Sequence, residues 1–115
     1  MSNKNYHILI VDDDTEFHQQ IRFAFRRNYI FEGAIDAEHL THKLAENKKY
    51  DLVLLDLVFD DTQRKIGLEL IPVLREKAPN VPIIVATADR SIDTVVEALK
   101  LGASNFLVKD DYDYD

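Results

Sequence analysis

Short apolar runs bounded by polar residues are the feature of this sequence that most constrains its fold. Four such runs lie at residues 7–11, 52–55, 83–86 and 105–108. A weaker run covers residues 29–35 and is interrupted by Glu32 and Gly33. Continuous runs rich in Val, Ile and Leu are typical of strands that are buried on both faces. The sequence therefore predicts five strands.

Amphipathic segments lie between these runs and predict four helices. Their apolar faces are Phe17, Ile21, Ala24 and Phe25; Leu40 and Leu44; Leu68, Ile71 and Leu74; and Ile92, Val95, Val96 and Leu99. Pro72 lies inside the third helix and predicts a kink or a displaced start. Ser91 is placed to cap the fourth helix and Gly102 to end it. Strands alternating with helices indicate an α/β fold, a doubly wound five-stranded parallel sheet with right-handed crossovers.

The C-terminal segment is too short and too polar for a fifth covering helix, because only residues 109–115 follow the last predicted strand. One flank of the sheet would then expose apolar surface. Either the natural chain continues or a partner covers this flank, and we favour a continuing chain. Residues 1–115 are expected to form a single domain.

Composition excludes several classes of protein. The net charge of −7 argues against direct nucleic acid binding, which needs clusters of Lys and Arg. The chain has no cysteine, so disulfides and thiolate chemistry are excluded. No stretch reaches the roughly 20 apolar residues of a membrane helix, and residues 1–5 lack the apolar run of a signal peptide. These exclusions favour a cytoplasmic protein that does not contact a membrane.

Chemically active side chains follow four of the predicted strands. Asp12 and Asp13 follow the first strand, Asp56 follows the third, Thr87 lies at the end of the fourth and Lys109 at the end of the fifth. Because the carboxyl ends of parallel strands share one edge of a sheet, where function usually lies, we expect these side chains to be neighbours.

The expected cluster has the parts of a phosphoryl-transfer site. Clustered carboxylates resist joint ionisation unless a hard cation such as Mg²⁺ accompanies them. An aspartate can act as a nucleophile and form an aspartyl phosphate. Mg²⁺ and Lys109 could neutralise the phosphoryl oxygens, and the Thr87 hydroxyl could donate to one of them.

Structural roles are the alternative for each of these residues. Asp14 is best interpreted as a helix N-cap, whereas Asp12 and Asp13 follow a buried strand. An unpaired acid at Asp56, inside an apolar run, would be costly. The four histidines lack metal-ligand spacing, and His39 and His42 are interpreted as surface residues.

At these positions the chain resembles the receiver domains of two-component response regulators, a flavodoxin-like, CheY-like family. The resemblance lies in ILIVDDD at 8–14, YDLVLLDL at 50–57, VATA at 85–88 and GASNFLVK at 102–109. It implies that Asp56 accepts the phosphoryl group. It also implies an Mg²⁺ bound by Asp13 and Asp56, by Asp12 mainly through water, and by the backbone carbonyl of Val58.

The resemblance further implies a switch and a set of partners. Lys109 would pair with the acceptor carboxylate and then with the phosphoryl group, while Thr87 moves toward that group and Phe106 swings inward. The expected partners are a sensor histidine kinase or phosphotransfer protein and an output domain or target, with a homodimer as a further option. The chain would then be the N-terminal part of a longer regulator.

Three features depart from the family pattern. The loop at 57–66 is longer than usual, Asp110 follows Lys109 where the family has proline, and the fifth helix is missing.

Two other functions are alternatives to a phosphorylated receiver. A pseudo-receiver would keep the fold as a protein-binding module without phosphorylation. A haloacid-dehalogenase-like phosphatase would instead use Asp12 as the nucleophile. That class is expected to have a threonine two residues after the second aspartate of its motif, and here this position is Glu16.

Overall fold

The computed structural model describes residues 6–46, 48–57, 66–88 and 91–109. Strands and helices alternate along these residues. The elements are β1 (Tyr6–Val11), α1 (Thr15–Ala24), β2 (Tyr29–Ala34), α2 (Ala37–Ala45), β3 (Leu52–Leu55), α3 (Ile66–Lys77), β4 (Ile83–Thr87), α4 (Ile92–Leu101) and β5 (Asn105–Val108). The predicted strands are confirmed to within one residue at each end.

The sheet is entirely parallel, with strand order β2-β1-β3-β4-β5. The order reverses between β1 and β3, so the crevice where such sheets bind ligands lies above the carboxyl ends of these two strands. Val11 and Leu55, the last residues of the two strands, are paired in register. This topology confirms the predicted doubly wound, flavodoxin-like α/β fold, with four helices among the described residues.

Two apolar clusters of different size lie on the two faces of the sheet. The larger cluster packs α2, α3 and α4 against the strands, around residues such as Leu40, Ile71 and Val85. The smaller one, on the α1 face, contains Ile10, Phe17, Ile21 and Ala86. None of the described helices is long and apolar enough to cross a membrane.

The predicted buried face of α1 is only half right. Phe17 and Ile21 are buried, but Ala24 and Phe25 are exposed and His18 is buried instead. The helix ends at Ala24, and Phe25 takes a non-helical backbone conformation at the C-cap. Phe25 therefore does not continue the stripe that the spacing predicts.

The predicted apolar face of α4 is wrong at three of its four residues, and the fourth, Val95, is half-buried. Thr94 and Ala98 face the core, whereas Ile92, Val96 and Leu99 are among the exposed large apolar side chains. The reason is that α4 packs on the sheet through small residues, and the larger aliphatic stripe lies on another side of the helix. The caps are as predicted: the Ser91 side chain accepts from Thr94 N, and Gly102 ends the helix with φ 122°.

Helix α3 begins at Ile66 and continues through Pro72, which is exposed. The helix therefore does not start at or after the proline. Near the end of α3, Arg75 donates from Nε to the carbonyl oxygen of Gly102 at 2.8 Å and from Nη2 to Ser104 Oγ at 3.2 Å. Its Nη1 also donates to the carbonyl of Val81. This side chain joins α3 to the segments that precede β4 and β5.

Candidate phosphoacceptor and metal site

Asp12 is the most enclosed acid at the carboxyl edge of the sheet, and its side chain is 1% exposed. The backbone N–H of Asp14 donates to its Oδ1 at 2.9 Å, and Lys109 Nζ donates to its Oδ2 at 2.9 Å. Its own N–H donates to the carbonyl of Ala34, which extends the β1–β2 ladder by one bond. Both carboxylate oxygens therefore have a fixed partner.

Asp56 lies beside Asp12 across the switch point. Its N–H donates to the carbonyl of Val11 at 2.9 Å, and the residue is buried. Asp13 is exposed at the rim of the crevice. One carboxylate oxygen from each of Asp12, Asp13 and Asp56 lies within 4.8 Å of the others. The structure thus brings together the three acids that the sequence predicts as neighbours.

Lys109 supplies the cation of this cluster, but its pairing differs from the expectation. Its Nζ is 2.9 Å from Asp12 Oδ2 and 3.6 Å from Asp56 Oδ2, so the closer contact is with Asp12 and not with the expected acceptor. Asp12 is the more deeply buried acid, and a buried carboxylate has the greater need of a counter-charge. Lys109 nevertheless lies within ion-pair distance of both.

The electrostatics reflect two buried acids, Asp12 and Asp56, that share one ammonium group. Burial and the neighbouring charge of Asp56 raise the pKa of Asp12 to about 6, although the hydrogen bond from Lys109 opposes the rise. Burial alone would lower the pKa of Lys109, but the hydrogen bond to Asp12 and the charge of Asp56 outweigh it, so the pKa is raised. The site therefore favours a cationic Lys109 and disfavours ionisation of Asp12.

The first turn of α1 contacts the site through Phe17, and the sequence predicts only part of this arrangement. Asp14 is the N-cap, as predicted, and accepts from the N–H groups of Glu16 and Phe17. Through this cap the ring of Phe17 lies beneath Lys109, with Nζ 4.3 Å from the ring centroid. The spacing identified Phe17 as a core residue but gave no sign of this contact.

His18 is a further contact that the sequence analysis missed. Its Nε2 lies 2.7 Å from the backbone oxygen of Asp12, so Nε2–H donates to that carbonyl. Burial lowers the pKa of His18, consistent with a neutral imidazole. A Cβ at Gly33 would overlap the ring of His18. The signal for this arrangement was the glycine that interrupts the second strand.

Gly67 fixes the backbone next to Asp56. Its N–H donates to the carbonyl of Leu57 at 2.9 Å. A Cβ at this position would overlap the carbonyl of Asp56 and the Cα of Leu57. The first turn of α3 can approach the acceptor strand so closely only because residue 67 has no side chain.

The two predicted switch residues lie on one face of the sheet. Thr87 is fully buried at the end of β4 and pairs in register with Val108, while Phe106 pairs with Val85. Phe106 is half-buried against the larger core cluster. The predicted carbonyl ligand, Val58, lies outside the described residues.

A family model described as "Response regulator receiver domain" matches residues 8–113. The transcriptional regulatory protein ZraR of Klebsiella oxytoca is 36% identical over 111 residues, which is 95% of this chain and 24% of ZraR. The response regulator protein PilR of Pseudomonas aeruginosa is 30% identical over 101 residues, which is 88% of this chain and 22% of PilR. This chain belongs to the response regulator receiver domain family, and it spans less than a quarter of the length of these two regulators.

Solved structures agree with this assignment. A response regulator protein from Burkholderia pseudomallei, crystallised with a phosphorylated aspartic acid, calcium ion and citrate, is 33% identical with a TM-score of 0.78; the match covers 91% of this chain and 60% of that one. The receiver domain of the Francisella response regulator 1452 is 28% identical with a TM-score of 0.78, over 96% of this chain and 88% of that one. Membership of this family removes the dehalogenase-like alternative, whereas a pseudo-receiver would share the same fold.

Proposed function

We propose that this receiver domain accepts a phosphoryl group on Asp56 from the phosphohistidine of a sensor histidine kinase or phosphotransfer protein. The observation that carries the proposal is the Asp56 carboxylate, buried at the switch point, with Lys109 Nζ at 3.6 Å and the carboxylates of Asp12 and Asp13 beside it. A nucleophile, a cation and further acids for a metal ion are the parts that phosphoryl transfer to a carboxylate requires.

Asp12 is the competing nucleophile on the same edge, and its hydrogen bonds argue against that role. Its Oδ1 accepts from the N–H of Asp14, and its Oδ2 accepts from Lys109. Attack by either oxygen would remove negative charge from it and weaken the bond that it accepts in a buried place, which costs free energy. We therefore assign Asp12 to support of the site and Asp56 to the chemistry.

The acidic trio suits a hard divalent cation, and we propose Mg²⁺. Three carboxylates and one ammonium leave the site with an excess of negative charge, and carboxylate oxygens are ligands that Mg²⁺ prefers. In this proposal Asp13 and Asp56 bind the ion, Asp12 acts mainly through water, and the carbonyl of Val58 completes the set. When bound, the ion supplies positive charge for the equatorial phosphoryl oxygens.

The proposed reaction is an in-line displacement. A carboxylate oxygen of Asp56 bonds to phosphorus, the P–N bond of the phosphohistidine breaks, and its electron pair remains on the imidazole that leaves. The Lys109 ammonium, already within ion-pair distance of Asp56, binds one of the phosphoryl oxygens. Water later takes the phosphoryl group and restores the carboxylate. The domain would thus promote its own phosphorylation and dephosphorylation without acting on a separate substrate.

Thr87 and Phe106 are proposed to convert phosphorylation into a conformational change. The hydroxyl of Thr87, at the carboxyl end of β4, would donate to a phosphoryl oxygen and draw the end of β4 toward Asp56. Phe106 lies two residues from the register partner of Thr87, on the same face of β5. The ring would fill the space that Thr87 leaves. A charge-assisted hydrogen bond of about 1.5–3 kcal/mol favours the switched state roughly ten- to a hundredfold.

The partners follow from the proposed role. We propose that an output domain or a separate target reads the switched state, that a homodimer is one form in which it does so, and that the domain works in the cytoplasm. The regulators ZraR and PilR are several times longer than the matched segment, which supports a receiver that forms part of a longer protein. We propose no direct nucleic acid contact by this domain, since its net charge is −7.

Phosphorylation by a small acyl phosphate tests the proposed function. With Mg²⁺ present, the intact mass should rise by one phosphoryl group, because nucleophile and lysine lie on this chain. Asp56→Asn should abolish the increase, and Asp93→Asn, an exposed acid in the first turn of α4, should not affect it. No increase from acyl phosphate or from a phosphohistidine donor would establish the pseudo-receiver instead.

A titration tests the metal assignment separately. Mg²⁺ added to the wild type should shift the amide NMR resonances around Asp12, Asp13 and Asp56 in a saturable way. Asp13→Ala should weaken this binding, while Asp36→Ala, an N-cap acid of α2, should leave it unchanged. An unaltered affinity in Asp13→Ala would refute the role of Asp13 as a ligand.

A further inference from the structure

The ammonium group of Lys109 has an aromatic neighbour as well as its two acids. Its Nζ lies 2.9 Å from Asp12 Oδ2, 3.6 Å from Asp56 Oδ2 and 4.3 Å from the centroid of the Phe17 ring. The side chain of Lys109 is 16% exposed, so little water reaches it. A cation over the face of an aromatic ring at this distance is attracted by the ring quadrupole.

The position of Phe17 is set by structure on both sides of it. The Asp14 side chain accepts from the N–H of Phe17 and fixes the first turn of α1. Phe17 is 3% exposed and packs in the small cluster with Ile10, Ile21 and Ala86. The cap holds the backbone of Phe17 and the core holds its ring, so the ring does not follow Lys109 if the lysine moves. The Phe17 ring is thus a fixed contact for the flexible Lys109 side chain.

We propose that Phe17 is a positioning residue for phosphoryl transfer, holding the ammonium group of Lys109 over its ring face and between the two acids. This inference rests on the function proposed above. A lysine side chain has four rotatable bonds and loses considerable conformational freedom when it is ordered. The ring reduces the number of positions that the ammonium group can take before the phosphoryl group arrives.

An aromatic ring suits this task better than another acid would. It attracts the ammonium group without a hydrogen-bond acceptor, so the three N–H donors of Lys109 stay available for carboxylate and phosphoryl oxygens. A third carboxylate in place of the ring would compete with the phosphoryl group for the same donors. It would also add negative charge where the pKa of Asp12 is already raised by burial and by Asp56.

Fluorinated phenylalanines at position 17 test the proposal without changing the shape of the core. Successive ring fluorines weaken the negative ring face, so the rate of phosphorylation by acyl phosphate and Mg²⁺ should fall stepwise, by about three- to tenfold over the series. The same series at Phe31, a partly buried ring in the same cluster, should leave the rate unchanged. Thermal midpoints should change only slightly in both series, because the ring keeps its place in the core, and this separates positioning from a loss of packing.

A second measurement does not depend on phosphorylation. The Hε protons of Lys109 should be shifted upfield by the Phe17 ring current in wild-type NMR spectra, and Phe17→Leu should remove this shift. The inference would be overturned if the phosphorylation rate did not change across the fluorinated Phe17 series. It would also be overturned if Phe17→Leu left the Hε chemical shift of Lys109 unchanged. If the wild type is not phosphorylated at all, the proposed function fails first, and the ring-current measurement still decides whether Phe17 holds the lysine.

Discussion

Replacing Asp12 with asparagine should make the metal-free domain more stable than the wild type at pH 8. In acid the same variant should be less stable than the wild type. Burial and the charge of Asp56 raise the pKa of Asp12 to about 6 from an ordinary value of 3.8. An acid whose pKa is raised in the folded state binds more protons there than in the unfolded chain. Its contribution to stability is therefore complete below about pH 3.8 and is lost as the pH rises through about 6.

The size of this loss follows from the change in pKa. A rise from 3.8 to about 6 corresponds to about 3 kcal/mol of unfolding free energy, at 1.36 kcal/mol per pH unit. Asparagine does not titrate, so the difference in stability between variant and wild type should move by about 2.5 kcal/mol in favour of the variant between pH 4 and pH 8, the rest of the change lying below pH 4. The asparagine amide cannot accept from both Asp14 N and Lys109 Nζ, which costs about 1–2 kcal/mol at every pH. The net gain at pH 8 is then about 1–2 kcal/mol.

Chemical denaturation in buffers containing a metal chelator measures this effect. The unfolding free energies of wild type and Asp12→Asn should be compared from pH 4 to pH 8, with Asp93→Asn as an exposed matched control. Added Mg²⁺ should narrow the difference at pH 8, because binding needs the ionised acid that the variant lacks. A difference between variant and wild type that stays constant with pH would refute the reasoning, because Asp12 would then titrate alike in both states.

Three further substitutions test other parts of the structure. Gly67→Ala should lower the free energy of unfolding by about 1–3 kcal/mol and slow phosphorylation, because the added Cβ would displace the Asp56 backbone. A wild-type free energy of unfolding together with a wild-type phosphorylation rate would contradict the close packing. Arg75→Leu should lower stability by about 2–4 kcal/mol, because it removes hydrogen bonds to three residues in the two segments that precede β4 and β5. Phosphorylation should stay intact, and exposed Lys77→Leu is the control. Thr87→Ala should still be phosphorylated but lose most of the amide NMR response of α4 to a beryllofluoride phosphoryl mimic. A full response in that variant would exclude Thr87 as the coupling residue.

Strands and the acids of the candidate site could be predicted from the sequence because their signals are local. A continuous apolar run such as 52–55 has few structural alternatives, and the residue that follows it must lie at the edge of the sheet. Asp12, Asp13 and Asp56 were therefore placed correctly from their positions after β1 and β3. The caps Asp14 and Ser91 were predictable for the same reason, since a cap acts within its own first turn.

Contacts between segments that are distant in the chain leave no local pattern in the sequence from which they could be predicted. The preference of Lys109 for Asp12 over Asp56 depends on the relative burial of the two acids, which the sequence does not express. The bond from His18 to the Asp12 carbonyl needs the space left by Gly33 on another strand. Helix periodicity identified the apolar residues of α4 but could not say which side faces the sheet, because small residues can pack as closely as large ones.

The packing of α4 indicates how a change at the site would spread through the domain. Its C-terminal end is held by Arg75, which binds the carbonyl of Gly102, and by Leu101, which packs against the larger core cluster. The buried residues earlier in the helix are the small Thr94 and Ala98. A helix fixed at one end and lightly packed elsewhere opens more readily at the other end. The amide shifts caused by a phosphoryl mimic should therefore be largest near Ile92, which is 78% exposed, and decline toward Gly102. Equal shifts at both ends would mean that α4 moves as a rigid body, and Arg75 would then not act as its anchor.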